Sequence, residues 1–209
     1  MMDHLTDESV RGFAARLASR APVPGGGGAA ALCGALAAAL CAMAGNLTVG
    51  KKQYAAHEAD LNRMLGDAET LRERFLDLIE ADAAAFAPLS KAYSMPKDAP
   101  DYAETMTRVT LDACSAPYEM LKCCSALVPL LEEMLETCSR LMISDVGCGA
   151  ILARAAMESA YLNVCINTRT LPDHAQAQQL EQHSAEMLKA ALPRLDALVD
   201  AVTQALRRN

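Results

Sequence analysis

The sequence predicts an all-α protein, a single-domain homodimeric bundle of long, partly kinked helices over residues 1–209. Apolar residues make up 52% of the chain and aromatic residues only 4%, so Ala, Leu, Met and Cys must fill the core. That composition suits closely packed helices better than sheets. Apolar residues also recur at intervals of three and four, and no segment alternates with the period of two that predicts a strand.

The first two predicted helices lie on either side of a glycine-rich junction. Val10, Phe13 and Leu17 are at helical spacing after an acidic start at residues 6–8. The stretch 29–49 is uncharged and long enough to span a bilayer, but its Ala-rich composition is a weak membrane signal. We expect a helix buried on all sides by its neighbours.

Two long periodic segments follow, at about residues 57–94 and 101–138, separated by a turn-rich break. Pro117 and Pro129 should kink the second of them or divide it into shorter helices.

Two further helices complete the predicted bundle. The first should begin at Ser144 as N-cap, with Asp145 in its first turn, and end near Thr168. The last should follow residues 172–173 and bend at Pro193.

Charge and cysteine content exclude several classes of function. A net charge of -7 argues against nucleic acid as a partner, because such proteins gather Lys and Arg into a positive field. The eight cysteines mostly lie in apolar helical patterns, and no secretory leader is evident, so we expect reduced thiols in a cytoplasmic protein. The four histidines lack metal-ligand spacing, so we predict no metal. The Ala-rich composition of residues 29–49 predicts no membrane partner.

A lysine pair follows the uncharged helix. Residues 45–51 satisfy the G-x-x-x-x-G-K pattern, but Lys52 stands where a nucleotide-binding loop needs Ser or Thr, and the match begins within a helical run. A nucleotide site is therefore not expected. Lys51 and Lys52 either complement the carboxyl end of the helix dipole or serve a ligand or a reaction.

Four consecutive glycines, Gly25, Gly26, Gly27 and Gly28, precede the uncharged helix. Such a run can merely connect two helices, but it has a large conformational entropy cost that Ser or Asn would reduce. It also brings bare backbone to a helix N-terminus, whose unpaired N–H groups suit a planar or anionic ligand. We favour a role in a site.

Asp82 is the single residue that most strongly indicates a special role, because it lies on the apolar stripe of its helix. A carboxylate removed from water must be paired with a base, protonated or held in a functional site. Asp145, taken alone, is a helix N-terminal charge. Asn163 and Asn167 lie four residues apart on a face of small residues, which indicates either an interhelical hydrogen-bond network or groups for a polar ring.

Four blocks in order resemble the formiminotetrahydrofolate cyclodeaminase and methenyltetrahydrofolate cyclohydrolase family. They cover roughly residues 9–170 and are 21–31, 46–54, 82–97 and 143–167. Together they are far more specific than any one of them. The chain departs from the family pattern at 138–142, where members often carry Gly-Asn-x-Asn, so contacts from that loop are not carried over.

The resemblance implies an all-helical dimer that binds a folate in a cleft, with no cofactor beyond the tetrahydrofolate substrate. It implies chemistry at the carbon that bridges N5 and N10, either hydrolysis of 5,10-methenyltetrahydrofolate or cyclisation of the formimino compound with loss of ammonia. A folate-binding or protein-binding dimer without catalysis is the third alternative. Gly28 and the absence of an attached formiminotransferase domain slightly favour the cyclohydrolase.

The resemblance also suggests roles for individual side chains. Asp82 and Asp145 become candidates for electrostatic stabilisation and proton transfer, and Lys51 or Lys52 for acid–base work or for binding the folate glutamate. The expected substrate-binding residues are Gly25, Gly26, Gly27, Gly28, Tyr54, Lys97, Ser144, Asn163 and Asn167.

Overall fold

The computed structural model describes residues 4–207, and this part of the chain contains six α-helices and no strand. The all-α prediction is confirmed. The helices are α1 Val10–Leu17, α2 Gly26–Asn46, α3 Glu58–Ala92, α4 Tyr102–Thr137, α5 Ile143–Thr168 and α6 His174–Arg207.

Helices α2, α3, α4 and α5 form a four-helix bundle in which each packs against the next and α5 closes the ring on α2. Neighbouring helices are antiparallel: Gly27 at the start of α2 meets Asp82 late in α3, and Gly45 at the end of α2 meets Leu65 early in α3. Helix α6 packs outside the bundle against α5 and α4. The largest buried side chains are Leu and Met, as the composition predicts, together with Phe75 and Ile79.

Two local predictions need correction. Gly26, Gly27 and Gly28 form the first turn of α2 instead of a loop, and only Gly25 is the N-cap. Helix α5 begins at Ile143, so Ser144 is not its N-cap, although Asp145 does lie in the first turn.

The prolines do not divide the helices. Helix α4 runs unbroken through Pro117 and Pro129, and α6 through Pro193. A proline removes one backbone hydrogen bond. Burial of the apolar side chains around Pro117, which is itself buried, offsets that loss within α4.

Helix α2 is the one helix within residues 4–207 that is long and apolar enough to cross a membrane by length and composition. It packs against α3, α4 and α5, as expected of a core helix. The expectation that it is buried on all sides is wrong, because one side stays exposed. Leu36, Met43 and Leu47 on that side are 45–48% exposed.

The exposed side of α2 continues onto α5. Ile151, Leu162 and Ile166 of α5 are 53–66% exposed. Both sets follow the three-to-four residue spacing of one helix side. We call these six residues the α2–α5 face.

Candidate functional site

A cavity of about 330 Å³ lies at the amino end of α2, where the ends of α2, α3, α4 and α5 converge. Its polar groups are one carboxylate, two amides, one phenol and glycine backbone, set among apolar side chains. This is the composition of a small-molecule site. The lining residues are Pro22, Val23, Gly25, Gly26, Gly27, Asp82, Phe86, Tyr93, Ala113, Asn163, Ile166 and Asn167.

Asp82 supplies the carboxylate in this cavity. It is partly buried, and no Lys, Arg or His within residues 4–207 forms an ion pair with it, so the alternative of a structural ion pair finds no support there. Burial raises the pKa of Asp82 to about 6, although a hydrogen bond donated by the backbone N–H of Gly28 acts in the opposite direction. Desolvation therefore outweighs the hydrogen bond.

Glycine at position 27 permits the close approach of Asp82 to helix α2. A Cβ atom at Gly27 would overlap the Asp82 carboxylate. A Cβ at Gly26 would come within 3.3 Å of the amide nitrogen of Asn163. Close approach of side chains to bare backbone is therefore the physical reason for these two glycines. Gly28 does not line the cavity, and its part is to donate to Asp82.

Asn163 and Asn167 lie on consecutive turns of α5 beside the cavity. The Asn163 amide donates to the Ser159 carbonyl at 2.8 Å within α5, and the Asn167 amide donates to the Ala113 carbonyl of α4 at 3.0 Å. The Asn167 bond joins two helices, as the interhelical alternative predicts. Neither Oδ1 atom accepts a hydrogen bond from residues 4–207, so both can accept from a ligand N–H.

The lysine pair lies elsewhere, in an open groove of about 690 Å³ beyond the carboxyl end of α2. Helix α2 has 21 residues, so this groove is about 30 Å from the Asp82 cavity along the chain's own helix. The groove is lined by Lys51, Lys52, Gln53, Tyr54, Ser139, Arg140 and Leu141.

Thr48 holds the two sides of this groove together. Its buried hydroxyl donates to the Ala44 carbonyl at 2.7 Å and accepts from the Ser139 N–H at 2.8 Å. The Tyr54 hydroxyl accepts from the Arg140 N–H at 3.4 Å. Hydrogen bonding to Ser139 first, and to Arg140, lowers the pKa of Tyr54, as does the Lys51 charge.

The remaining predicted site residues divide between the two ends of the molecule. Asp145 is close to Cys138, whose pKa burial raises to about 11 with a smaller contribution from the Asp145 charge. It therefore belongs to the lysine end, as does exposed Ser144. Lys97 is exposed in the turn after α3, past Tyr93, and does not line the cavity.

The sequence analysis did not identify all of the residues that line the Asp82 cavity and the lysine groove. Phe86 and Tyr93 follow Asp82 by four and eleven residues, a helical spacing that would have placed them beside it. Ile166 lies between the two asparagines in the same turn of α5. No spacing in the sequence predicts that Ser139 and Arg140 line the lysine groove. They lie there because the Ser139 N–H donates a hydrogen bond to the Thr48 hydroxyl, which holds the turn after α4 beside Lys51 and Lys52.

The cysteines and possible metal ligands do not form a second centre in the described part of the chain. All eight cysteines lie there as free thiols. Burial raises the pKa of Cys41 and of Cys114 to about 12, which keeps both protonated. Within residues 4–207, no group of three His, Cys, Asp or Glu side chains is placed to hold a metal.

Comparisons with known proteins agree on one family. Residues 9–186 match the formiminotransferase-cyclodeaminase family. The chain is 38% identical to a methenyltetrahydrofolate cyclohydrolase of Methylorubrum extorquens, over 83% of this chain and 85% of that protein. It is 28% identical to the mouse formimidoyltransferase-cyclodeaminase over 90% of this chain and 35% of the relative.

A solved structure shares the fold. The formiminotetrahydrofolate cyclodeaminase of Thermotoga maritima superposes with a TM-score of 0.82 at 26% identity, over 96% of each chain. The resemblance identified in the sequence is confirmed.

Proposed function

Since this chain belongs to the formiminotransferase-cyclodeaminase family, we propose that it is a tetrahydrofolate one-carbon enzyme that hydrolyses 5,10-methenyltetrahydrofolate to 10-formyltetrahydrofolate. The observation that carries the proposal is the partly buried carboxylate of Asp82, which has no basic partner among residues 4–207, in a cavity with two amide oxygens that accept no hydrogen bond from those residues. The identity to the Methylorubrum cyclohydrolase, over most of both chains, supports this choice of reaction.

The positive charge of the substrate is opposite to that of the Asp82 carboxylate. The methenyl carbon is part of a cationic amidinium between N5 and N10. A carboxylate in a cavity with apolar walls stabilises such a cation more strongly than water does, because the local dielectric constant is low. The positive substrate in turn favours the ionised form of Asp82, against the burial that raises its pKa.

The reaction requires movement of protons as well as charge stabilisation. The oxygen of a water molecule forms a bond to the methenyl carbon and loses a proton, which gives a tetrahedral carbon. The hydroxyl on that carbon then loses the second proton of the water as the C=O bond forms and the bond from the carbon to N5 breaks; N5 receives a proton, and the formyl group stays on N10. The net change is addition of one water and release of one proton. Asp82, with its pKa near neutrality, can accept the water proton and return one to N5.

The remaining cavity groups bind and orient the ring. The Oδ1 atoms of Asn163 and Asn167 accept hydrogen bonds from pterin N–H groups, and the bare backbone of Gly25, where a Cβ would meet nothing within 4 Å, leaves room for the ring at the start of α2. Lys51 and Lys52, with Tyr54, lie about 30 Å from this cavity along α2, so they are less direct candidates, for acid–base work or for binding the folate glutamate. Asp145, Lys97 and Ser144 are less direct candidates, because none of them lines the cavity.

A second reaction uses the same groups. In the cyclodeaminase reaction N10 attacks the formimino carbon and ammonia leaves, again through a tetrahedral carbon beside a cationic centre. The similarity of the whole fold to the Thermotoga cyclodeaminase favours this second candidate. For either reaction we propose a homodimer, because the exposed apolar α2–α5 face gains by burial. The free thiols of the described residues support a reducing, cytoplasmic location.

Absorbance of the methenyl chromophore distinguishes the reactions. Purified protein is supplied separately with 5,10-methenyltetrahydrofolate and with 5-formiminotetrahydrofolate. Loss of the chromophore faster than in buffer supports the cyclohydrolase, and gain from the formimino compound supports the cyclodeaminase. No change of absorbance beyond the buffer rate with either substrate contradicts an enzymatic role and favours a folate-binding or protein-binding dimer.

A further inference from the structure

We infer that Arg16 is a positioning residue of the Asp82 cavity: its guanidinium holds the 21–25 loop in the place where that loop forms one wall of the cavity. The inference rests on the proposed function and goes beyond it. It extends the site to helix α1 and to the segment before α1, neither of which lines the cavity itself.

The 21–25 loop, which joins α1 to α2, is the part of the cavity lining that lies outside the bundle. Pro22, Val23 and Gly25 of this loop line the cavity. The other lining residues lie on α2, α3, α4 and α5 or directly after α3. The width of the cavity on this side therefore depends on where the loop lies.

The middle of the loop is attached to the rest of the protein by one hydrogen bond. Pro22 and Pro24 have no N–H to donate. The Nε atom of Arg16 donates to the Val23 carbonyl at 3.2 Å, and within residues 4–207 this is the only hydrogen bond that links residues 22–24 to other residues. Pro24 is buried against the start of α2, where a Cβ at Gly28 would come within 3.1 Å of the Pro24 Cβ. Packing thus fixes the end of the loop, and Arg16 fixes its middle.

A second cavity gives Val23 room to move away from the first. Its volume is about 600 Å³. Val23 lines both cavities, so the loop lies between them at this residue. The α3 residues of the second cavity are small and leave its space unfilled. The lining residues are Leu5, Arg16, Val23, Glu80, Ala83, Ala84 and Ala87.

Arg16 is itself held by the segment before α1. Its Nη1 atom donates to the Glu8 carboxylate at 2.7 Å, and the Glu8 side chain is only 21% exposed. Nε and Nη1 belong to one planar guanidinium, so the bonds to Val23 and to Glu8 form at the same time. A lysine has a single nitrogen on a flexible chain and cannot reproduce this fixed pair of bonds.

The same segment is attached to α3, the helix that carries Asp82. Thr6 donates its backbone N–H and its hydroxyl to the Glu80 carboxylate, at 3.0 and 3.2 Å. Leu5 beside it is buried in the main core. Glu80 precedes Asp82 by two residues. The bonds from Glu80 through Thr6, Glu8 and Arg16 therefore fix the loop relative to the helix of the catalytic acid.

Loss of this positioning should weaken substrate binding more than it slows the chemistry. Arg16→Met removes both bonds but keeps the length and the helix propensity of the side chain. Asp82 keeps its hydrogen bond from Gly28, so the acid stays in place. For 5,10-methenyltetrahydrofolate, KM should rise by about 10-fold, since one charge-assisted hydrogen bond is lost. The change in kcat should be less than about twofold, because a displaced wall affects substrate and transition state alike.

Arg11→Met is the matched control. Arg11 is exposed on the same helix and forms no ion pair within residues 4–207, so both constants should keep their parent values. A purely structural role of Arg16 predicts another pattern, because partial unfolding lowers the active fraction and thus kcat at an unchanged KM. That pattern would overturn the inference, as would parent constants in Arg16→Met.

Arg16→Lys separates the paired bonds from the charge. It keeps the positive charge but not the planar pair of donors, so KM should rise nearly as far as in Arg16→Met. A parent KM in Arg16→Lys would show that charge alone is sufficient, contrary to the inference.

Proteolysis tests the hold on the loop without a substrate. Arg20 is exposed directly before the loop, and the rate of tryptic cleavage after it follows the population of locally opened chains. Arg16→Met should be cleaved there about 10-fold faster than the parent, and Arg11→Met at the parent rate. Circular dichroism confirms that all variants are equally folded.

This measurement also separates the inference from the proposed function. If the parent turns over neither folate, the proposed function fails, whereas faster cleavage of Arg16→Met still supports the hold on the loop. Equal cleavage of parent and Arg16→Met overturns the inference whether or not the parent is active.

Discussion

The carboxylate of Asp82 lies so close to the backbone of Gly27 that a single methyl group on Gly27 would overlap it. The neighbouring Gly28 donates its N–H to the same carboxylate. Helix α3 thus holds the Asp82 carboxylate directly against the first turn of α2.

Gly27→Ala should therefore displace Asp82 and reduce both activity and stability. Insertion of a methyl group into such tight packing costs about 1–3 kcal/mol of the free energy of unfolding. Displacement of the carboxylate by about 1 Å should lower turnover by about 100-fold. Thermal denaturation and the chromophore assay measure the two effects.

Gly66→Ala is the control for the effect of an added methyl group in a helix. Gly66 is exposed in α3, and a Cβ there meets nothing within 4 Å. This variant should be more stable than the parent by up to about 1 kcal/mol, with unchanged turnover. If Gly27→Ala and Gly66→Ala lost stability and turnover equally, the contact between Gly27 and Asp82 would not be the cause of the loss.

Activity should depend on pH through the ionisation of Asp82. With its pKa at about 6, kcat/KM for methenyltetrahydrofolate should rise with pH up to about 6 and then level. Asp82→Asn should remove this inflection and lower turnover by about 10²–10⁴-fold. Asp77→Asn, at an exposed position of the same helix, is the control and should keep the parent profile.

The stability of the fold should show the opposite dependence. The folded state binds the Asp82 proton more tightly than the unfolded chain, whose pKa is near 3.8, so the contribution of Asp82 to stability falls as pH rises from about 4 to about 6. Asp82→Asn should therefore unfold at a higher temperature than the parent at pH 8, and the difference should shrink at pH 4. An equal difference at both pH values would contradict the desolvated carboxylate.

Loss of the Asn163 amide should weaken substrate binding. Asn163→Ala removes one hydrogen-bond acceptor from the cavity, and KM should rise by up to about 10-fold. Asn62→Ala is a close control, because Asn62 makes the same bond to its own helix, to the Glu58 carbonyl at 2.8 Å, on an exposed surface. A similar rise of KM in both variants would argue against a contact between Asn163 and the substrate.

A charge in the α2–α5 face should separate the protomers. Leu36 is 48% exposed near the midpoint of α2, so Leu36→Glu leaves the fold of one chain intact but places a carboxylate in the dimer interface. Light scattering after gel filtration should give the mass of one chain for the variant and of two for the parent, and activity should fall with dissociation. Leu206→Glu, at a position 55% exposed near the end of α6, should stay dimeric. A dimeric Leu36→Glu variant would exclude this face as the interface.

The helices could be predicted because their signals are local. Apolar spacing placed α3 and α4 to within two residues at each end, since amphipathic periodicity is a property of neighbouring residues. Division of α4, one of the two predicted effects of its prolines, did not occur, because packing was stronger than local preference. The missing hydrogen bond of Pro117 does not break α4, because buried neighbours hold both sides of that turn together.

For the site, the chemistry of single residues was visible in the sequence, whereas their grouping was not. Asp82 on an apolar stripe indicated a desolvated acid, and its raised pKa agrees with that interpretation. The four glycines indicated close approach to backbone, but only the packed helices show that the approaching group at Gly27 is Asp82 itself.

The sequence by itself determined that this chain is helical, that it resembles one folate family, and which polar residues interrupt its apolar surfaces, because each depends on local spacing or on short ordered motifs. Only the tertiary structure decided that Asp82 joins Asn163 and Asn167 while Lys51 lies about 30 Å away, and that one side of α2 remains uncovered. The physical reason is that distances between elements depend on which helix ends meet, and burial depends on contacts among all helices together.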